Sequence, residues 1–490
     1  MRASRLGVAA AVIATVAVIP AAITPAAQAE RGTLADRLVR SVTIEGINHH
    51  LTALQAIADR NGGSRDDPSP GLQESFAYVE GQVRAAGFDV SVQEFTYDRR
   101  VIDAATVTVG STTVVPIRMG GSPFTPVGGV TGPLKVVPID ATTGCEVTDY
   151  VDAAGSVALI RRGGCPFTIK AKSAAQAGAV AALIYNNSPG PARGDLDPTQ
   201  VTIPVAGVSG EDGAVLIALA GGSATVDLRD HDEPTLSHNL IAQTRSGRTD
   251  NVIVAGAHLD SSPDSPGMNE NASGVSAQLE LALRMGSHPK VENAVRFAWW
   301  GGTGDSAGSD DYLASLTTGQ KLDIALYLAV EAIGSSNGGY FVYDGDNSTG
   351  TVGPMPYGSG QIEQAFAGYL NGVGIPTEET NIGQARGEYS FFIAEGIPSG
   401  GTYTGLQFLK TEAQAAKWGG TAGVAYHQCY DARCDTLGNL NLGILDRNAD
   451  AIAHVTGVYA TSTDDIDGRA QRAAHRTAGA HAVAAPVTRE

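Results

Sequence analysis

The chain has 490 residues, a formal net charge of −18, 17% charged and 43% hydrophobic residues, with 61 glycines and 23 prolines. That length suggests about three domain-sized units, and the hydrophobic content excludes a disordered chain. No basic stretch is long enough to track a phosphate backbone, so nucleic-acid binding is excluded as a leading function.

Arg2 and Arg5, the apolar run Leu6–Ile23 and the small-residue site Ala27-Gln28-Ala29 read as a secretory signal over residues 1–29. No later run reaches the ~20 apolar residues of a membrane span. The expectation is a secreted, extracellular protein without a membrane contact. The four cysteines fall into two close pairs, Cys145 with Cys165 and Cys429 with Cys434, and local disulfides are the simplest reading for an oxidising compartment.

HLTALQAIADR and SFAYVEGQVRAAG carry apolar positions at helical spacing, and DVSVQEFTY alternates with period two, so residues 30–100 read as two helices and a strand. Between 101 and 232 the pieces become short and β-branched (VTVG, TTVVPI, GPLKVVPI, SVALIRRG, VTIPVAGVS) around one helix-to-strand run, IKAKSAAQAGAVAALIY. This predicts an inserted β-rich module with its own small core. Over 233–465 strands (NLIAQTR, DNVIVAGAH, AVRFAWWG) alternate with helices (ASGVSAQLELALRMG, IEQAFAGYLNGVG), the pattern of a mostly parallel sheet sandwiched by helices, an α/β fold. Residues 466–490 show little periodic apolar signal and read as a flexible tail.

In such sheets chemistry sits past the carboxyl ends of the strands. The segment NVIVAGAHLDSSPDSPGMNENASG ends a strand on His258, places Asp260 two residues on, and reaches Glu270 at a helix start. An imidazole and carboxylates gathered there suit a metal site. A serine nucleophile at Ser306, within GDSAG, is the weaker alternative, because such matches arise easily in glycine-rich loops.

The segment is similar to the H-x-D-S…G-x-N-D-N-x-S-G string of the secreted double-zinc aminopeptidases, metallopeptidase family twenty-eight. SHNLIAQT, VRFAWWGG, RGEYSFFIAEGIPSGGTYTG and CYDARCDTLGN resemble further strings of that family, in the same order. GCEVTDY…GSVALIRRGGCPFTIKAKSAAQAGAVAALIYNN resembles a protease-associated (PA) domain. The resemblance implies a zinc-exopeptidase-like α/β fold with an inserted PA domain that restricts or recruits substrate.

The resemblance also assigns roles residue by residue. His258 matches the first zinc histidine, Asp260 the aspartate that orients it, and Glu270 the bridging aspartate. Gly302, Thr303 and Gly304 occupy the family's A-E-E, whose glutamates are general base and zinc ligand; Asp305 is the carboxylate nearest the gap. Arg386-Gly387-Glu388 stands for R-S-D, which makes Glu388 a candidate zinc carboxylate. Asp431 replaces the last zinc histidine, His427 stands where an aspartate is usual, and Tyr430 keeps the position of the oxyanion-stabilising tyrosine.

Two zinc ions are implied by the resemblance, while the oxygen-rich set suits a harder cation such as calcium. The implied activity is removal of N-terminal residues from peptides by metal-bound water, in a monomer whose partners are peptides and protein N-termini. The alternative is a catalytically impaired peptide- or cation-binding protein on the same fold, because the Glu-Glu pair is missing.

Overall fold

The computed structural model describes residues 32–187, 190–302, 306–350, 355–380 and 387–480, the last five of these in backbone only. The expected signal segment and residues 303–305, Asp305 among them, lie outside the described residues.

Helices α1 (Leu34–Ser41), α2 (Ile44–Arg60) and α3 (Pro70–Ala85) come first, each opened by a hydroxyl cap, Thr33, Thr43 and Ser69, that accepts a first-turn N–H. The chain then enters β1 (Asp89–Val109), β2 (Thr112–Val114), β3 (Ile117–Arg118), β4 (Val130–Val136), β5 (Val157–Arg161), α4 (Phe167–Gln176), β6 (Ala181–Tyr185), β7 (Val205–Val208), α5 (Gly210–Ala218) and β8 (Ser223–Gln243). Next come β9 (Arg248–His258), α6 (Ser273–Met285), β10 (Asn293–Trp300), α7 (Ala307–Ser315), α8 (Thr318–Asp323), β11 (Ile324–Val330) and β12 (Phe341–Tyr343). The chain closes with α9 (Ser359–Gly372), β13 (Glu378–Thr380), α10 (Tyr389–Ala394), β14 (Ser399–Tyr403), α11 (Glu412–Trp418), α12 (Leu442–Thr461) and α13 (Arg469–Ala480).

The larger part of the sheet runs in the order β13-β12-β14-β11-β9-β10-β8. Strands β14, β11, β9 and β10 are mutually parallel, with β8 antiparallel to β10 at one side. Every residue of β11 is buried, as is the second half of β9, because helices cover both faces. Ile47 and Leu51 of α2, Val275 and Leu279 of α6, and Ile452 and Val455 of α12 pack on one face. Tyr312 and Leu313 of α7 and Phe392 of α10 pack on the other, around Trp300 and Tyr327. The smaller part continues β8-β4-β5-β6-β7-β3, with β4 to β7 parallel and a separate apolar cluster about Leu159, Leu183 and Val226. The disulfides Cys145–Cys165 and Cys429–Cys434 are both formed.

Two features differ from the sequence expectation. The composition change after Arg100 does not end a strand: β1 runs on to Val109, paired antiparallel with β8 from Asp89↔Gln243 to Val109↔Ala224. The two long strands form one ribbon, and β8 pairs with β10 of the main sheet and with β4 of the β-rich module. Residues 469–480, expected as part of a flexible tail, form helix α13. Its anchor is polar: the buried Arg472 guanidinium donates to Asn251 Oδ1 at 2.8 Å and to the Leu322 carbonyl at 3.0 Å. Among the described residues no helix is long and apolar enough to cross a membrane.

Candidate metal centre

Strands β9, β10 and β11 end side by side. The first closes on His258 and the third delivers Glu331 one residue past its last position. His258 is 3% exposed. Its Nδ1 lies 3.0 Å from the Asp260 carbonyl oxygen and 3.7 Å from Asp260 Oδ1. With Nδ1–H donated there, Nε2 faces Glu270 Oε1 at 3.2 Å and Glu331 Oε1 at 4.0 Å; as an imidazolium it donates to Glu270, and once deprotonated its lone pair is free for a metal. One ligand atom from each of His258, Glu270 and Glu331 lies within 4.8 Å of the others.

Glu388, at the start of α10, is buried against Glu331, and neither of its carboxyl oxygens has a hydrogen bond. Glu270 Oε2 is likewise buried without a partner. Three orphaned carboxyl oxygens around one imidazole are costly unless a cation satisfies them, so the residues present fit a divalent metal. A second acidic group, Asp344, Asp346 and Glu363, lacks that signature. There Asp344 accepts from Ser348 and Thr349 N–H, and Glu363 from Gly345 and Asp346 N–H.

The loop carrying Glu270 is stitched to the strand end carrying Glu331 by its own polar side chains. Asn271 Nδ2 donates to the Val330 carbonyl at 2.9 Å, while its Oδ1 accepts from Ala332 N–H at 2.9 Å, so it grips the backbone on both sides of Glu331. Asn269 accepts from Gly334 N–H at 3.0 Å, and Ser273 Oγ accepts from Ile333 N–H. Asp435, fully buried, accepts from the N–H groups of Asn269 at 2.8 Å and Glu270 at 3.2 Å. Asn271→Ala is therefore expected to lower metal affinity about 10- to 100-fold, as loss of an outer supporting contact does. It should also cost about 1–3 kcal/mol in stability through the unpaired backbone groups it leaves. A metal titration and a denaturant melt on the variant read the two effects.

Charge crowding without a cation shows in the proton affinities. Burial, with the charge of Glu270 added, pushes the Glu331 carboxyl up to about 7. Burial beside Glu331 raises Glu388 well above the carboxylate range, and burial also raises Glu270, against the pull of His258. Burial lowers His258, but Asp260 and Glu270 outweigh it and hold the imidazole well above its ordinary value.

The remaining sequence candidates are placed around this group. Tyr430 is partly buried next to Asp431, and desolvation with that neighbouring charge pushes its phenol well up, so it remains a proton donor at neutral pH. Asp431 lies near Glu270, with Oδ1 taken by the Ser262 hydroxyl. His427 is set back from the group: its Nε2 lies 3.1 Å from Asp435 Oδ1, without the alignment of a hydrogen bond. Asp67 holds the turn after β10, accepting from Gly302 N–H at 3.0 Å and from the Ser237 hydroxyl; burial raises it to about 6.

Sequence reasoning missed Glu331 and Asp435. A signal for Glu331 was present, since the apolar run IALYLAV ends on a carboxylate just as the preceding strand ends on His258. Asp435 directly follows Cys434, and its role depends on backbone N–H groups more than 160 residues away.

The model of peptidase family M28 matches residues 239–456, and that of the PA domain matches 130–216. A probable lipoprotein aminopeptidase, LpqL, of Mycobacterium tuberculosis is 40% identical over 428 residues, covering 86% of this chain and 85% of the relative. An aminopeptidase of Pseudomonas aeruginosa is 38% identical over 458 residues, covering 88% and 83%. Among solved structures, a zinc aminopeptidase from Bacillus subtilis superposes with a TM-score of 0.64 at 24% identity, covering 86% of this chain and 98% of that one. That likeness speaks to the fold.

Proposed function

Because the chain belongs to peptidase family M28, we propose that it is an exported, zinc-dependent aminopeptidase whose metal is held by His258, Glu270 and Glu331, with Glu388 completing the set. The carrying observation is the buried imidazole facing two close carboxylates, with three carboxyl oxygens lacking partners. Relatives named aminopeptidases, similar over most of the chain, support the reaction class; nothing in the comparisons favours a binding protein without turnover.

A zinc ion bound there supplies Lewis-acid polarisation of a carbonyl and a water acidified toward neutral pH. The chain's own groups do the rest. Tyr430, kept protonated by burial, donates a hydrogen bond to the oxygen of the first peptide carbonyl as negative charge develops on it. The acidic rim, Asp431 included, draws in the free α-ammonium group of a peptide and disfavours a blocked end. Asp260 and Asp435 hold the ring of His258 and the backbone of Glu270 in place, so the centre need not rearrange as charge develops.

The test uses the zinc-loaded protein, aminoacyl-p-nitroanilides with free amino groups, and their N-acetylated counterparts. Release from the free substrates only, abolished by a chelator and restored by zinc, is the expected result. No release from any free aminoacyl substrate by zinc-loaded, folded protein would overturn the reading.

A further inference from the structure

We infer that Arg65, supplied from far upstream in sequence, is a positioning residue that sets the geometry of the metal centre. This rests on the metal reading above. Arg65 lies in the loop NGGSRDDPSP between α2 and α3, and its side chain is completely buried. Each of three guanidinium nitrogens donates to a different carbonyl of the excursion between His258 and Glu270. Nε reaches Pro266 O at 3.1 Å, Nη2 reaches Gly267 O at 3.0 Å, and Nη1 reaches Leu259 O. The backbones are tied as well: Arg65 N–H donates to Ser261 Oγ at 2.9 Å, and Ser261 N–H donates to the Arg65 carbonyl at 3.2 Å.

The gripped carbonyls lie at the two ends of the excursion, one residue after His258 and three or four before Glu270. Their separation fixes how far Glu270 stands from the imidazole. Gly267, at φ +65°, makes the turn into the guanidinium; a Cβ there would sit 3.1 Å from Arg65 Nη2 and 2.5 Å from the Glu270 carbonyl oxygen. Asp435 in turn holds the N–H groups of Asn269 and Glu270. Arg65 takes the carbonyls and Asp435 takes the amides, so the excursion is clamped between a cation and an anion. Only a planar fork with several donors spans three carbonyls; a lysine ammonium is a point charge and reaches one or two.

Arg65→Lys and Ser261→Ala separate this role from a contribution to folding alone. Each is prepared metal-free and titrated with Zn²⁺ against a chelating dye, then with Co²⁺ for its visible ligand-field bands. A thermal melt runs alongside. The expected result is a folded Arg65→Lys chain with Zn²⁺ affinity reduced about 10- to 100-fold and shifted Co²⁺ bands, and a smaller change of the same sign for Ser261→Ala. A folded Arg65→Lys chain with wild-type affinity and bands would overturn the inference. So would loss of folding in both variants, which would make the contact a matter of global stability. If the wild-type chain binds neither ion, the metal reading itself falls; if it binds both and the folded variants match it, only the role of Arg65 falls.

Discussion

Zinc added to the metal-free protein at pH 7 is expected to displace protons from the ligand set, and affinity should climb with pH. The sign follows from the direction of each shift. His258 is held well above its ordinary value, so the free site carries an imidazolium that must lose its proton to ligate. Glu388 is raised well above the carboxylate range, and Glu331, pushed up to about 7, starts half protonated. The metal-free state therefore binds more protons than the loaded one. Each displaced proton contributes about a tenfold gain in affinity per pH unit while the group remains protonated. Between pH 6 and pH 7 the gain should reach about tenfold or more. Calorimetric titrations in buffers of different ionisation enthalpy count the protons directly. An affinity independent of pH across that window would mean that these groups do not hold the ion.

Glu331→Gln should act in opposite directions on the two states of the protein. The amide keeps the shape of the side chain and removes a charge that burial and Glu270 both disfavour. The metal-free variant should therefore melt at or above the wild-type temperature near pH 8, where the wild-type carboxylate is ionised. The contribution of Glu331 to metal-free stability is present at low pH and lost as pH rises through about 7, because its folded value lies above its ordinary one. Zinc affinity, by contrast, should fall by at least about a hundredfold with the loss of a ligand oxygen, and hydrolysis should fall with it. Scanning fluorimetry with and without zinc shows both: a raised baseline melt and the loss of the zinc-induced shift. A variant that keeps the wild-type shift would remove Glu331 from the ligand set.

The architecture was legible in the sequence where packing enforces periodicity. The run NVIVAGAH is buried at every residue and reads as a strand, and ASGVSAQLELALRMG reads as the helix that covers it. Legibility stopped where a polar contact replaced apolar pattern. Helix α13 is rich in alanine and arginine with no apolar stripe, and only the socket formed by Leu322, Asn251 and Asp250 shows why Arg472 fixes it. Arg65 stands among glycine, serine, aspartate and proline, a composition that reads as a surface loop, yet the carbonyls that bury it lie 194 to 202 residues downstream.

The site divides the same way. His258 and Glu270 lie twelve residues apart on one loop, and Asp260 lies between them. Glu331 is 61 residues further along than Glu270 and joins them through the parallel pairing of β9 with β11 and the ties from Asn269, Asn271 and Ser273 to the backbone around it. The apolar run IALYLAV marks Glu331 as a strand-end carboxylate, but the register that sets it beside His258 leaves no local mark on the sequence.

The metal centre is tested most directly by elemental analysis of folded protein lacking residues 1–29, dialysed against trace zinc, with Glu331→Gln alongside. At least one zinc ion retained per wild-type chain, and loss of that ion from the variant, is the predicted result. A folded wild-type chain that retains essentially no zinc would contradict the metal centre and the peptidase chemistry built on it.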